Sequence, residues 1–159
     1  MKSNYDVKGG ISVEFLICRT SCGSKCNAEP CPNEKKEIKL LEPVIFYLAD
    51  HTILKIREGF IFDGASIPKI CWTSIGHPLE HRFLYAALLH DALYSSQLVS
   101  REKADQYFKE FLQSFSGIGT FTVWKIHTGV RLFGGTAWKS KTEEYLTEMK
   151  QFITMEGSK

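Results

Sequence analysis

The chain has 159 residues, 43% of them hydrophobic and 24% charged, enough apolar material for one packed core and too little length for two ordinary domains. Lys and Arg number 20 against 18 Asp and Glu, and a net charge of +2 gives no basic excess that would mark nucleic acid as a partner. The longest apolar runs, around 83–89 and 44–48, fall far short of the roughly 20 residues that span a bilayer. The first ten residues carry no apolar signal core, so neither a transmembrane segment nor a signal peptide is expected.

The first half reads as β structure. Ile11, Val13, Phe15 and Ile17 alternate with Ser12, Glu14, Leu16 and Cys18, and the β-rich runs 44–48, 53–56 and 60–62 are separated by turn residues at 49–51 and 58–59. A small antiparallel sheet is expected. Between its first two strands lies a stretch rich in Cys, Ser, Lys, Asn and Pro, which predicts a hairpin insertion over 18–39. Cys18, Cys22, Cys26 and Cys31 make it either a pair of disulfides or a four-thiolate zinc site. Without a signal peptide, metal or free thiols are favoured over disulfides. Four thiolates would leave zinc no open position, so its role there is structural. Cys71, beside Trp72, reads as a small buried hydrophobe.

After Pro68 the apolar period lengthens from 2 to about 3.6, the period of amphipathic helices. A helix from near Pro78 through Tyr94 is apolar enough to be central and buried. A second opens at the N-cap Ser100 with Glu102 in its first turn, carries Ala104, Phe108, Phe111, Leu112 and Phe115 on one face, and ends by Gly117. A third spans 121–133 and stops at Gly134 and Gly135, and a fourth, over 142–155, covers the core with Tyr145, Leu146, Met149, Phe152 and Ile153. The expected fold is a single α+β domain over 1–159. It is β-rich over 1–62, holds a turn and a helical core over 63–138, and has a covering helix within 139–159.

The chemistry centres on His90 and Asp91, because an ionisable pair inside a run of Ala, Leu and Tyr costs several kcal/mol unless partnered. Asp105 lies three residues before Phe108 and seven before Leu112, on the edge of the next helix's apolar face, and the short link 95–99 would bring it to His90. A buried Asp orients an imidazole and stabilises its charged form, which makes the ring a general base for water. Asp91 is about 100° round the helix from His90 and needs another role. Asp63 and the Gly64 carbonyl, in a turn ending at Pro68, would offer hard oxygen donors that suit calcium together with Asp91.

His90-Asp91-x-x-Tyr94 with Asp105 and Phe108 on the next helix resembles the paired catalytic helices of phospholipase A2, particularly the small prokaryotic and fungal type. There an Asp-x-Cys/Ala-Ser/Thr-x-x-Pro calcium loop precedes the His-Asp helix, and 63–68 here is similar to it. A later helix of that type ends in Val-Lys/Arg-x-Phe-Gly, which is similar to 130–134. The chain also resembles a family of phage and prophage proteins with Asp-x-Ala-Ser-x-Pro, Leu-x-His-Asp-x-Leu-Tyr, Ser-Arg-x-x-Ala-Asp-x-x-Phe and Val-Arg-x-Phe-Gly-x-x-x-Trp, matched here at 63–68, 88–94, 100–108 and 130–138. The lipase resemblance implies a phospholipase A2-like helical core, with His90 as the base, Asp105 as its orienting partner and Tyr94 as a hydrogen-bond support. It also implies calcium held by Asp63, Gly64 and Asp91, and membrane phospholipid as the substrate. The phage resemblance implies the host cytoplasm or a virion as the location, with action at a membrane surface if the protein is an enzyme.

Other readings stay open. His90 and Asp91 alone read equally as a buried polar pair that fixes packing, in a non-enzymatic virion or host-interaction protein. A metal phosphohydrolase of the His-Asp type would recruit His77 or His81 with His90 and Asp91, and the spacing of His77 and His81, which flank the helix start, fits it poorly. Trp72, in the loop after Pro68, is the better candidate for contact with lipid, whereas Trp124 reads as core. Arg131 is a candidate for substrate phosphate, and as a cation near a helix C-terminus it is also favoured without any ligand.

Overall fold

The structure, a computed structural model, describes residues 6–8, 11–18, 35–63, 81–115 and 118–157. Strands β1 (Asp6–Lys8), β2 (Val13–Cys18), β3 (Lys35–Leu40), β4 (Val44–Tyr47), β5 (Ile53–Ile56) and β6 (Ile61–Phe62) come first. Helices α1 (His81–Ser96), α2 (Arg101–Ser114), α3 (Thr120–Lys139) and α4 (Glu143–Met149) follow, and strand β7 (Ile153–Glu156) comes last. The architecture is mixed α and β, as the change of period at Pro68 predicts. In place of one small sheet there are two antiparallel sheets among the described residues, ordered β1-β4-β5-β7 and β2-β3-β6.

Alternation sets which strand faces are buried. Val44 and Phe46 of β4, with Leu48 just beyond it, Leu54 and Ile56 of β5, and Ile38 and Leu40 of β3 all point into one core with the helices. Backbone bonds from Leu40 to the Phe60 carbonyl (2.9 Å) and from Gly59 to the Leu40 carbonyl (2.7 Å) tie β3 to the chain entering β6. Gly59 sits at φ +86°, a region closed to most side chains. β2 and β3 pair from Val13 with Leu40 to Cys18 with Lys35. Cys22, Cys26 and Cys31, which fall between these strands, lie outside the described residues, as do Gly64, Cys71 and Trp72.

Several elements differ from expectation, among them β3, which forms at 35–40 over the end of the stretch 18–39 expected as an insertion. The covering helix predicted over 142–155 ends at Met149, and after a turn the chain pairs with β5, Ile153 opposite Ile56 and Glu156 opposite Ile53. The apolar residues spaced for one helix serve two elements: Leu146 is buried from α4 and Ile153 from β7. The strand also covers an edge of β5 that would otherwise be open. In addition, α3 does not stop at Gly134 and Gly135 but continues to Lys139.

α1 is buried around nearly its whole circumference from Phe83 to Ser96, as a central helix must be. Its backbone turns out at Gln97 (φ +47°), whose N–H donates to the Leu93 carbonyl at 2.9 Å while its side-chain amide donates to the Trp138 carbonyl at 2.8 Å. Ser100 then caps α2, accepting from the Lys103 N–H. On its other side α2 is fastened to the four-stranded sheet through Asp50, in the β4–β5 turn, which accepts from Lys103 Nζ (2.9 Å) and the Tyr107 hydroxyl (2.7 Å). Phe46 and Phe111 meet edge to face at 5.4 Å between them.

Candidate active site

Asp105 is fully buried on α2, and its carboxylate collects donors from three helices. Oδ1 accepts from the Tyr94 hydroxyl at 2.6 Å and lies 3.1 Å from His90 Nε2, both on α1. Oδ2 accepts from Arg131 Nη1 of α3 at 2.8 Å and lies 3.7 Å from Arg101 Nε, one turn earlier on α2. The helix edge that predicted an inward Asp105 therefore does bring it to His90, and Tyr94 stands beside it on the same oxygen. Arg131, the candidate for substrate phosphate, is engaged with Asp105 and Glu102.

The electrostatics follow from these contacts. Burial alone would raise the Asp105 carboxyl, but hydrogen bonds from His90, Tyr94 and Arg131 outweigh it and hold the group well below the usual carboxylate range. Burial pushes the His90 imidazole down, Asp105 draws it back up, and the Arg101 charge lowers it further, the net effect being downward. Burial and the bond to Asp105 push the Tyr94 phenol upward, so it remains a donor. The consistent assignment is an ionised Asp105 facing a neutral His90 whose Nε2–H donates to it.

That tautomer leaves a lone pair on Nδ1, and this atom meets no hydrogen-bonding group among the described residues. The ring is held by Tyr94 and Phe108, with centroids 4.1 and 4.6 Å away. His90 lines a pocket of about 530 Å³ bounded by α1, the second half of α3, α4 and the end of β6. Asp91 and Asp63 line the same pocket. Tyr145 of α4 closes one side, its hydroxyl 3.1 Å from Ser95 Oγ. Among the described residues no three His, Cys, Asp or Glu side chains are grouped to hold a metal ion, and Gly64 lies outside them.

The sequence reading missed how Asp105 is neutralised. Arg101 lies four residues before Asp105, the spacing that puts two helical side chains side by side, and this is the signal that could have found it. The same guanidinium donates to the Tyr94 hydroxyl (3.4 Å) and to the backbone carbonyls of Val130 and Arg131. This explains why α3 continues through its glycines. A Cβ on Gly134 would lie 2.7 Å from the Tyr94 hydroxyl and one on Gly135 would lie 3.1 Å from Arg101 Nη1, so the pair admits buried neighbours and does not end the helix.

Residues 38–130 match a family described as protein of unknown function (DUF1353). No curated protein and no solved structure matches the chain.

Two outcomes are expected from this geometry. Helix propensity would favour Gly134→Ala by about 1 kcal/mol, but Tyr94 is pinned by Asp105 and cannot swing clear, so the variant is expected to lose roughly 1–3 kcal/mol in urea unfolding. Stability should also fall with acid. His90 takes up a proton near pH 6.5 once unfolded and resists it when folded, so its contribution is complete above that pH and shrinks below it, and Asp105 adds a second loss below about 3.8. Urea midpoints measured from pH 7.5 to 5 should decline, and less steeply in His90→Gln.

Proposed function

The chain belongs to the DUF1353 family, and within it we propose a hydrolase that cleaves an ester of membrane phospholipid with water activated by His90. The observation that supports this is the divided use of the imidazole of His90, a residue that lines a pocket: Nε2 is engaged with a buried carboxylate, and the buried Nδ1 has no hydrogen-bond partner among the described residues. In the proposed reaction Nδ1 takes a proton from water as the oxygen attacks the ester carbonyl. The acyl carbon–oxygen bond then breaks, the proton passes from the imidazolium to the leaving alcohol, and a fatty acid and a lysolipid result. Asp105 stabilises the imidazolium in between, Tyr94 and Arg131 keep Asp105 ionised and fixed, and the resemblance to phospholipase A2 supplies the substrate class.

Calcium is part of the proposal through that resemblance, with Asp63 and Asp91 as its described donors, and no step here depends on it. If it binds, millimolar calcium should raise the melting temperature of the wild-type chain and not that of Asp91→Asn. Zinc at Cys18, Cys22, Cys26 and Cys31 is a separate structural proposal. The resemblance to phage and prophage proteins supports use during phage entry, lysis or competition.

A second reading has its own support. Asp105 is so fully satisfied that it serves equally as a packing node in a non-enzymatic virion or host-interaction protein. Fatty-acid release from mixed phospholipid micelles separates the two. The hydrolase is expected to release fatty acid with calcium present, and a folded His90→Gln protein should lose it by about 10²-fold or more. Equal, background-level release from both proteins would favour the packing node.

A further inference from the structure

α3 carries an outward face that the core does not use. Its inner side, Val123, Ile126, Gly129 and Val130, is buried. Phe121 (65% exposed), Trp124 (56%) and Leu132 (70%) stand on the opposite side, within a sector of about 80°. Trp124 is therefore not the core residue its helical spacing suggested. Its ring stacks on Phe121, centroids 5.7 Å apart, and Lys125 Nζ lies 4.7 Å over the Phe121 ring. The face runs about 16 Å along the helix. At its end Phe133, 69% exposed, turns into the wall of the His90 pocket.

Charge identifies what this face meets. Across its 20 residues α3 has no Asp or Glu, while Lys125 and Lys139 are cations and a third, Arg131, is engaged with Asp105 and Glu102 of α2. A second copy would set this face against itself, with cations facing cations and no carboxylate on the helix to answer them. An anionic lipid surface answers both properties, accepting aromatic and leucine side chains at headgroup depth and attracting lysines. We propose that the Phe121–Trp124–Leu132 face of α3 docks the protein on an anionic bilayer and brings the Phe133 rim of the pocket to the lipid. No described helix is long and apolar enough to cross a membrane, so the contact is peripheral. This inference rests on the hydrolase reading for its purpose, though not for its test.

The test is co-sedimentation of the full chain with phosphatidylglycerol/phosphatidylcholine vesicles and with phosphatidylcholine vesicles alone, at low and high salt. Tryptophan emission and sedimentation-velocity mass are recorded alongside. Binding is expected to the anionic vesicles, weakened by salt, with a blue-shifted emission that Trp124→Phe reduces. Trp124→Ala/Leu132→Ala, whose side chains are exposed and outside the pocket wall, should keep the wild-type melting temperature and bind at least about tenfold more weakly. Lys125→Glu should lose the preference for anionic lipid while remaining folded. No binding to either vesicle, binding indifferent to these variants, or a dimer that the same variants dissolve would each overturn the proposal. A soluble short-chain ester, assayed in parallel, keeps the two ideas apart. Docking without hydrolysis of that ester leaves the face standing and sinks the hydrolase, and hydrolysis without docking does the reverse.

Discussion

The burial of one carboxylate organises this molecule. Asp105 has no access to solvent, and an isolated ionised carboxylate in such a place would cost many kcal/mol. It is tolerated because α1 brings His90 and Tyr94, α3 brings Arg131, and α2 itself brings Arg101. Each donor comes at a cost of its own in position. Tyr94 has room because α3 has no side chain at residue 134, Arg101 packs closely against Gly135, and Arg101 is steadied by α3 carbonyls. Three helices are therefore fixed relative to one another by one acid, and Asp50 fixes the same α2 to the sheet.

The network also decides the state of His90. An aspartate next to a histidine usually raises the imidazole, yet here burial and the charge of Arg101 prevail and the ring stays neutral. A neutral ring with Nε2–H directed at Asp105 has one useful atom left, Nδ1, and that atom belongs to the residue on the pocket wall. The features that make Asp105 a good packing node are thus the ones that would serve His90 in the base role proposed for it. Packing and chemistry make the same demands on these side chains, so geometry by itself is shared between the two proposed roles.

Much of this was legible in the sequence, for identifiable reasons. Period-2 alternation and β-rich runs located β2, β4, β5 and β6, whereas β3 forms over the end of the stretch expected as an insertion, and the apolar density around Leu88 marked α1 as central. The position of Asp105 relative to Phe108 and Leu112 gave its meeting with His90. What was not legible depended on contacts between distant segments. Gly134 and Gly135 look like a helix end in sequence, and only the approach of Tyr94 and Arg101 gives them another purpose. Ile153 fits a helical stripe as well as a strand, and the open edge of β5 decides in favour of the strand. Trp124 has core spacing on a helix that presents that side to solvent. Hydrophobic periodicity reports that a face is apolar and not what covers it.

The central claim is that burial keeps His90 neutral while Asp105 fixes its proton on Nε2, which leaves the Nδ1 lone pair unengaged. Long-range ¹H–¹⁵N correlation spectra of the histidine rings, with His90 assigned by its loss in His90→Gln, test this directly. The account predicts a protonated Nε2 and an unprotonated Nδ1 at pH 7, persisting below the ordinary histidine midpoint near 6.5. A proton on Nδ1, or an imidazolium already formed at pH 7, would contradict it.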